Sequence, residues 1–230
     1  VSGPRISLLC PTRNRPGNVR RLLRSARSTA EGPLEFVFRT DEDAPLDGTL
    51  AAKPDVMEVS GPRITMSDMW NACWRAAAAD VFMMCCDEVV FRTPGWDEQV
   101  LARFAEFPDR IVLVFGNDLF HPAGDGVTLP FVHRAWTDAL GYFTPPYFGA
   151  DFADVWLDDL AKRVGRREYV PVITEHMHPA AGKSVWDQTH QERLARLAAQ
   201  DPRSVYEQKA AERESGARKL ADAMAAGVMV

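Results

Sequence analysis

Short apolar runs alternate along this chain with stretches whose apolar residues recur at helical spacing. ISLLC (6–10) has the look of a buried strand, and PTRNRPG breaks it as a loop. Asn18 is placed to cap a helix running to about Ala30, with Val19, Leu22, Leu23 and Ala26 at i, i+3, i+4 and i+7. LEFVFRT (34–40) predicts a second strand, broken by the acidic loop DEDAPLDG. VMEVS (56–60) predicts a third, closed by Gly61-Pro62. Thr65 and Asp68 have capping-box spacing before a helix over about 66–79, whose apolar face is Met66, Met69, Trp70, Cys73 and Ala77. A fourth strand, 81–86, runs into Asp87-Glu88. Helices are expected over 95–107 and 153–165, the second with Val155, Leu157, Leu160 and Val164 inward. Strands are expected over 111–118 and 168–179, and a charged helix from Gln188 onward.

Residues 119–150, rich in Pro, Gly and aromatics, are long for a structureless loop, which usually marks a binding segment. The tail 203–230, rich in Ala, Glu, Lys and Arg, fits a surface helix or partial disorder equally. Strands alternating with helices imply an α/β fold with a mainly parallel central sheet flanked by helices. Ligands of such sheets sit at the carboxyl ends of the strands. PTRNRP, RTDEDA and Asp87-Glu88 all fall at such ends.

Composition changes this picture little. Of 230 residues, 46% are hydrophobic and 26% charged, enough for a core, and the net charge of −5 argues against general nucleic-acid binding. Residues 1–40 nevertheless carry eight arginines against Glu31 and Glu35, so an anionic ligand is expected there. Cys10, Cys73, Cys85 and Cys86 show no CxxC spacing and read as reduced thiols. No signal peptide or run of about 20 apolar residues is visible, so a cytoplasmic chain without a membrane span is expected.

Two adjacent carboxylates at the end of a core strand call for a cation, a basic side chain or solvent. Mg²⁺ or Mn²⁺ takes one or two protein carboxylates and completes its shell with phosphate and water. His176 and His178, two apart on a strand, share a face. One can ligate metal and the other contact phosphate, or both are simply hydrogen-bonded. A zinc site finds no third histidine or cysteine by spacing alone. Arg13 and Arg15 suit phosphate, whereas GxGxxG and the P-loop pattern are missing. Asp41 and Asp43 could accept from a ribose or base. Arg20, Arg24 and Arg27 share a helix face beside Arg21 and form either a solvated surface or a nucleic-acid contact.

ISLLCPTRNRP, RTDEDA, GPRITMSDMWNACWRAAAADVFMMCCDEVVFRTPGWDEQV, LGYF and EHMHPAAGK together resemble the GT-A glycosyltransferases, family-2-like members above all. The resemblance spans roughly residues 5–190. It implies a catalytic domain over 1–190, with a nucleotide-sugar half at 1–118 and an acceptor half at 119–190, followed by a helical tail at 191–230. It implies a UDP- or GDP-linked sugar donor, Mn²⁺ or Mg²⁺, and transfer to an acceptor hydroxyl, with inversion the family-2 expectation. The acceptor could be a glycan, a small molecule or a hydroxylated base. Cys86 stands where the family's Asp-x-Asp motif has its first acid, leaving Asp87 or Glu88 to bind metal together with His176 or His178. Carried over likewise, Thr12, Arg13, Asp41, Arg63 and Asn71 approach the nucleotide, and Asp154, or else Asp151, is the acceptor's base. Trp136, Tyr142, Phe143 and Tyr147 are candidate acceptor-stacking surfaces. A non-catalytic nucleotide-sugar or carbohydrate-binding module and a sugar-nucleotide pyrophosphorylase are the competing readings. The latter normally has a Gly-rich basic loop that PTRNRPG does not match.

Overall fold

A computed structural model describes residues 3–227. Its strands are β1 (Ile6–Pro11), β2 (Leu34–Asp41), β3 (Val56–Gly61), β4 (Val81–Met84), β5 (Val89–Phe91), β6 (Leu113–Asn117), β7 (Phe131–His133) and β8 (Arg167–His176). They form one eight-stranded sheet in the order β3-β2-β1-β4-β7-β6-β8-β5. The helices are α1 (Pro16–Thr29), α2 (Gly48–Ala51), α3 (Met66–Ala76), α4 (Trp96–Ala105), α5 (Arg134–Leu140), α6 (Ala153–Arg163), α7 (Gln188–Ala199), α8 (Pro202–Gln208) and α9 (Ala210–Gly227).

Both faces of the sheet are buried, which explains why ISLLC and LEFVF are apolar without alternation. Leu8, Phe36 and Met83 face one layer with Leu22, Trp96 and Phe104. Leu9, Val37 and Phe82 face the other with Cys73, Trp136, Trp156 and Leu157. The four cysteines are free thiols, and Cys10, Cys73 and Cys85 are buried.

The sheet is mixed, not mainly parallel. β3, β2, β1 and β4 pair in parallel, as expected. β7, however, runs antiparallel between β4 and β6, and β5 runs antiparallel to β8. Residues 119–150 hide this, because a strand as short as Phe131–His133 carries no periodic signal, and an antiparallel neighbour needs no crossover helix to announce it. The same stretch contains α5, capped by His133, whose side chain accepts from the Ala135 N–H.

Helix boundaries shift for local reasons. α1 starts at Pro16 rather than after Asn18, because the fixed φ of proline suits the first helical turn. α3 stops at Ala76, where Ala77 turns extended, and Thr65 caps it by accepting from the Asp68 N–H. In α6 the buried residue is Trp156, and Val155 points outward. The tail is helical as far as residue 227, and residues 228–230 lie outside the described residues. α9 packs on α5 and α6 through Arg213, Gly216, Ala217 and Leu220. A Cβ on Gly216 would meet Leu160 Cδ2 at 3.2 Å, so glycine lets α9 approach α6 this closely. Among the described residues no helix is long and apolar enough to cross a membrane.

Candidate functional site

Asp87 and Glu88 form the turn between β4 and β5. The Cys85 N–H still donates to Leu9 O at 3.0 Å, so the turn begins at the carboxyl end of the parallel strands. β5 then pairs with β8, placing Val89 opposite His176, and the Met177 N–H donates to Glu88 O at 2.8 Å. This register brings EHMHP, far away in sequence, against the two acids.

The acids have different surroundings. Asp87, 3% exposed, accepts from Thr12 Oγ1 at 2.6 Å, Arg15 Nη1 at 3.1 Å and Asn18 Nδ2 at 3.4 Å. It is tied to the loop after β1. Arg15 reaches on to Asp187 with two bonds of 2.8 and 2.6 Å, and its Nη1 lies 3.6 Å from Glu88 Oε1. Burial works against the Arg15 charge, but the bond to Asp187 and the fields of Asp87 and Glu88 outweigh it and raise its pKa. Asp187 gains in turn. Against its own burial, the Arg15 bond and the His190 N–H hold it at about 2. Beside this group, Arg13 bridges Asp41 at 2.9 Å and Asp43 at 2.7 Å, and Arg63 pairs with Glu192. Thr12, Arg13, Arg15, Asp41, Asp43 and Arg63 therefore do assemble at the strand ends.

Glu88, 5% exposed, faces imidazoles instead. His190 Nε2 lies 3.1 Å from its Oε1, and His176 Nε2 lies 3.9 Å from its Oε2. One ligand atom each from Glu88, His178 and His190 all lie within 4.8 Å of one another. Donors on opposite sides of a divalent ion with bonds of ~2.1 Å are about 4.2 Å apart, so a small inward movement closes these three on one cation. The donor chemistry fits, since a neutral imidazole is the ligating form and burial lowers His178, helped by Arg193 and His190. Burial also lowers His176 to about 4, helped by His178, and its Nδ1 is buried without a partner. His176 Nε2 sits 3.6 Å from Cys86 Sγ. Glu88 is raised by burial, against the fields of Arg15 and His190.

On the far wall, Asp151 is clamped by Arg193, with Nε to Oδ1 at 2.8 Å. Asp154, in the first turn of α6, is lifted to about 6, by burial first and then by the neighbouring charge of Asp151. Its contact with the Val155 N–H is too local to amount to a full cap.

Several expected site residues lie elsewhere. Asn71 is buried and stitches α3 to the 143–144 segment, donating to Thr144 O at 2.7 Å and accepting from Phe143 N at 3.0 Å. Its Oδ1 accepts from the Thr144 N–H as well, so this buried amide serves the backbone rather than a nucleotide. Trp136 and Phe143 are fully buried in the core behind the sheet, so neither offers a stacking face. Tyr142 Oη accepts from Trp156 Nε1 at 3.2 Å, and Tyr147 packs on Trp156 with Lys209 over its ring. On α1, Arg20 pairs with Asp47, Arg27 with Asp55, and Arg21 donates to Asn18.

Three features escape the sequence reading. His190 enters from α7, at the very end of the stretch of resemblance. Its readable signal is the Asp187/His190 spacing, a capping box that places His190 in the first turn. The second is an Asp118–His121 pair at 2.8 Å in the loop after β6. The third is the two exposed rings, Phe120 and Trp186.

No family model matches this sequence, and no curated protein matches it. Solved structures do. The crystal structure of S. aureus TarS 1–349 superposes with a TM-score of 0.55 at 13% identity, over 85% of this chain and 72% of that one. The mannosyltransferase PcManGT from Pyrobaculum calidifontis, in complex with GDP-Man and Mn²⁺, superposes at 0.54 and 16% identity, over 100% of this chain and 76% of that one. The shared property is the fold.

Proposed function

We propose that this chain is a glycosyltransferase of the GT-A type that moves a sugar from a nucleoside-diphosphate donor to an acceptor hydroxyl. The observation that carries the reading is the meeting of Glu88, His178 and His190 with the Arg13/Arg15 loop at the carboxyl ends of the strands, in a fold shared with a mannosyltransferase. Glu88, His178 and His190 would hold a divalent cation, Mn²⁺ or Mg²⁺, whose chemistry is to neutralise the donor's diphosphate.

The protein's own groups do the rest. Thr12, Arg13 and Asp41, with Asp43 and Arg63 around them, line the nucleotide side. Arg15 and Arg193 supply fixed positive charge where the leaving diphosphate gains negative charge. Asp154 accepts the acceptor's hydroxyl proton, and a carboxyl lifted to about 6 suits this role near neutral pH. A base on the acceptor side is consistent with inversion. Asp151, neutralised by Arg193, positions the wall rather than taking the proton.

Calorimetry of GDP and UDP binding, with and without Mn²⁺, tests this reading. One of the two should bind in a Mn²⁺-dependent manner, and His178→Ala/His190→Ala should abolish that dependence. Nucleotide binding indifferent to both the cation and the double substitution would place the donor site elsewhere.

A further inference from the structure

Two large aromatic side chains stand exposed at the rim of the imidazole cluster. Phe120 is 39% exposed and Trp186 51%. They are not scattered surface residues of the ordinary kind. The Phe120 ring lies 5.6 Å from that of His178 and 6.2 Å from that of His176. The Trp186 ring lies 5.9 Å from His178 and 5.3 Å from His190. Two rings from separate segments thus flank His178.

Both segments are held in place. The buried Asp118 carboxylate accepts from the backbone N–H of Phe120 and of His121, each at 2.9 Å, and from Thr128 Oγ1 at 2.6 Å. Lys183 Nζ donates to Leu119 O at 2.9 Å, tying the Phe120 loop to the segment that leads to Trp186. Asp118 Oδ2 also lies 2.8 Å from His121 Nδ1, which fixes the position of that ring. Gly126 makes room for this imidazole, since a Cβ there would lie 2.4 Å from its Cγ.

Fixed rings with a fixed polar neighbour suit a ligand that has one C–H-rich face and a hydroxylated edge. The negative face of an aromatic ring attracts the first, and polar groups such as the His121 imidazole pair with the second. Phe120 packs against the rings of His121, His176 and His178, whereas the Arg13 guanidinium is taken up by Asp41 and Asp43. Against a nucleic-acid acceptor, Arg20 and Arg27 are already paired with Asp47 and Asp55.

We infer that Phe120 and Trp186 form the stacking platform for the acceptor, and that the acceptor is a carbohydrate presenting a pyranose ring. This rests on the sugar-transfer reading of the site.

The test is saturation-transfer NMR on the full chain with methyl α-mannopyranoside, methyl β-glucopyranoside, methyl β-galactopyranoside and oligothymidylate as probes. Calorimetry of GDP and GDP-mannose with Mn²⁺ runs alongside. Phe120→Leu and Trp186→Leu keep apolar bulk and remove the rings, and thermal melts check that they fold. At least one glycoside should show transfer to its ring C–H protons, with affinity falling about 3- to 10-fold for each ring removed. GDP and GDP-mannose affinities should not change. Three results would overturn the inference: no transfer to any glycoside, transfer to oligothymidylate alone, or a loss confined to GDP-mannose, which would assign the rings to the donor's sugar. If the native protein binds neither nucleotide yet the rings still bind glycosides, the transfer reading fails. The acceptor role then fails with it, and a carbohydrate-binding surface is what remains.

Discussion

The floor and the wall of the cleft treat charge in opposite ways. On the floor, opposite charges are paired and the shifts favour the ionised forms. Arg13 and Arg15 are raised and Asp43 and Asp187 lowered, in each case because a bonded partner of opposite charge outweighs burial. On the wall, burial is the leading cause and the shifts favour the neutral forms. Glu88 and Asp154 are raised, and His176 and His178 are lowered. Asp118 is the exception there, lowered by N–H and hydroxyl donors because it serves to orient His121. A floor satisfied by its own partners is scaffold, and it holds the Arg13 and Arg15 charges in fixed places. A wall on which burial rather than an opposite charge sets the protonation is poised for a ligand that brings charge or protons with it. Adjacent in sequence, Asp87 belongs to the first and Glu88 to the second.

The sharpest way to break this contrast is at Asp154. Asp154→Asn should lower turnover by about 10²–10⁴-fold with the fold intact, as a lost general base does. In the native protein the proposed transfer should slow as pH drops through about 6, where that carboxyl takes up a proton. A near-normal rate in Asp154→Asn would remove the carboxylate base from the mechanism.

Next comes the floor. Asp87→Ala leaves Arg15 with Asp187 and Glu88 but strands the Thr12 hydroxyl and one guanidinium N–H, and should cost about 1–3 kcal/mol of stability, read by urea unfolding. Unchanged stability would mean that the floor is not scaffold.

A comparable effect comes with acid. His176 has a folded pKa of about 4 against 6.5 in the unfolded chain, so the unfolded chain takes the proton first. The stability this group contributes is complete above pH 6.5. It falls as pH drops toward 4, by roughly 3 kcal/mol at 1.4 kcal/mol per unit. His176→Asn should flatten that slope. Asp187, lowered to about 2, should keep its contribution down to pH 3.8 and lose it only below.

The smallest stability effect is expected at Glu88→Gln. Burial already disfavours its charge, so the melting temperature should hold or rise slightly, while Mn²⁺ affinity falls by about 10-fold or more. A large destabilisation would move Glu88 to the floor.

Much of the floor was legible in the sequence, because it hangs on long signals. β1 and β2 are continuous apolar runs, α1 and α3 have clean helical periods, and the loops after the first two strands announce themselves through Pro11, Pro16 and the acids around Asp41. The wall was harder to read. β7 and α5 are too short to show a period, so Trp136 and Phe143 read as exposed aromatics in a loop when they are core. Val155 and Trp156 are apolar neighbours, and the apolar set Val155, Leu157, Leu160 and Val164 points to the first, whereas Trp156 is the one buried. Asn71 looks like a polar ligand in a helix, but its amide serves the backbone at residues 143–144. His190 has no sequence neighbour that suggests chemistry. Only folding α7 back over the β1 loop reveals it.

That last contact bears on the order in which the protein folds. Arg15 and Asp187 are 172 residues apart in sequence, yet they share two hydrogen bonds. Loop-closure entropy makes such a contact late, since local and neighbouring-strand contacts form at lower cost. On the ribosome, β1 to β4 can pair long before residues 187–190 emerge. Until then Arg15 has Asp87 and Glu88 but no Asp187, and Glu88 has no His190. A nascent chain can thus hold a folded β1–β4 sheet and still lack a complete cluster around Glu88, which closes only with the arrival of α7.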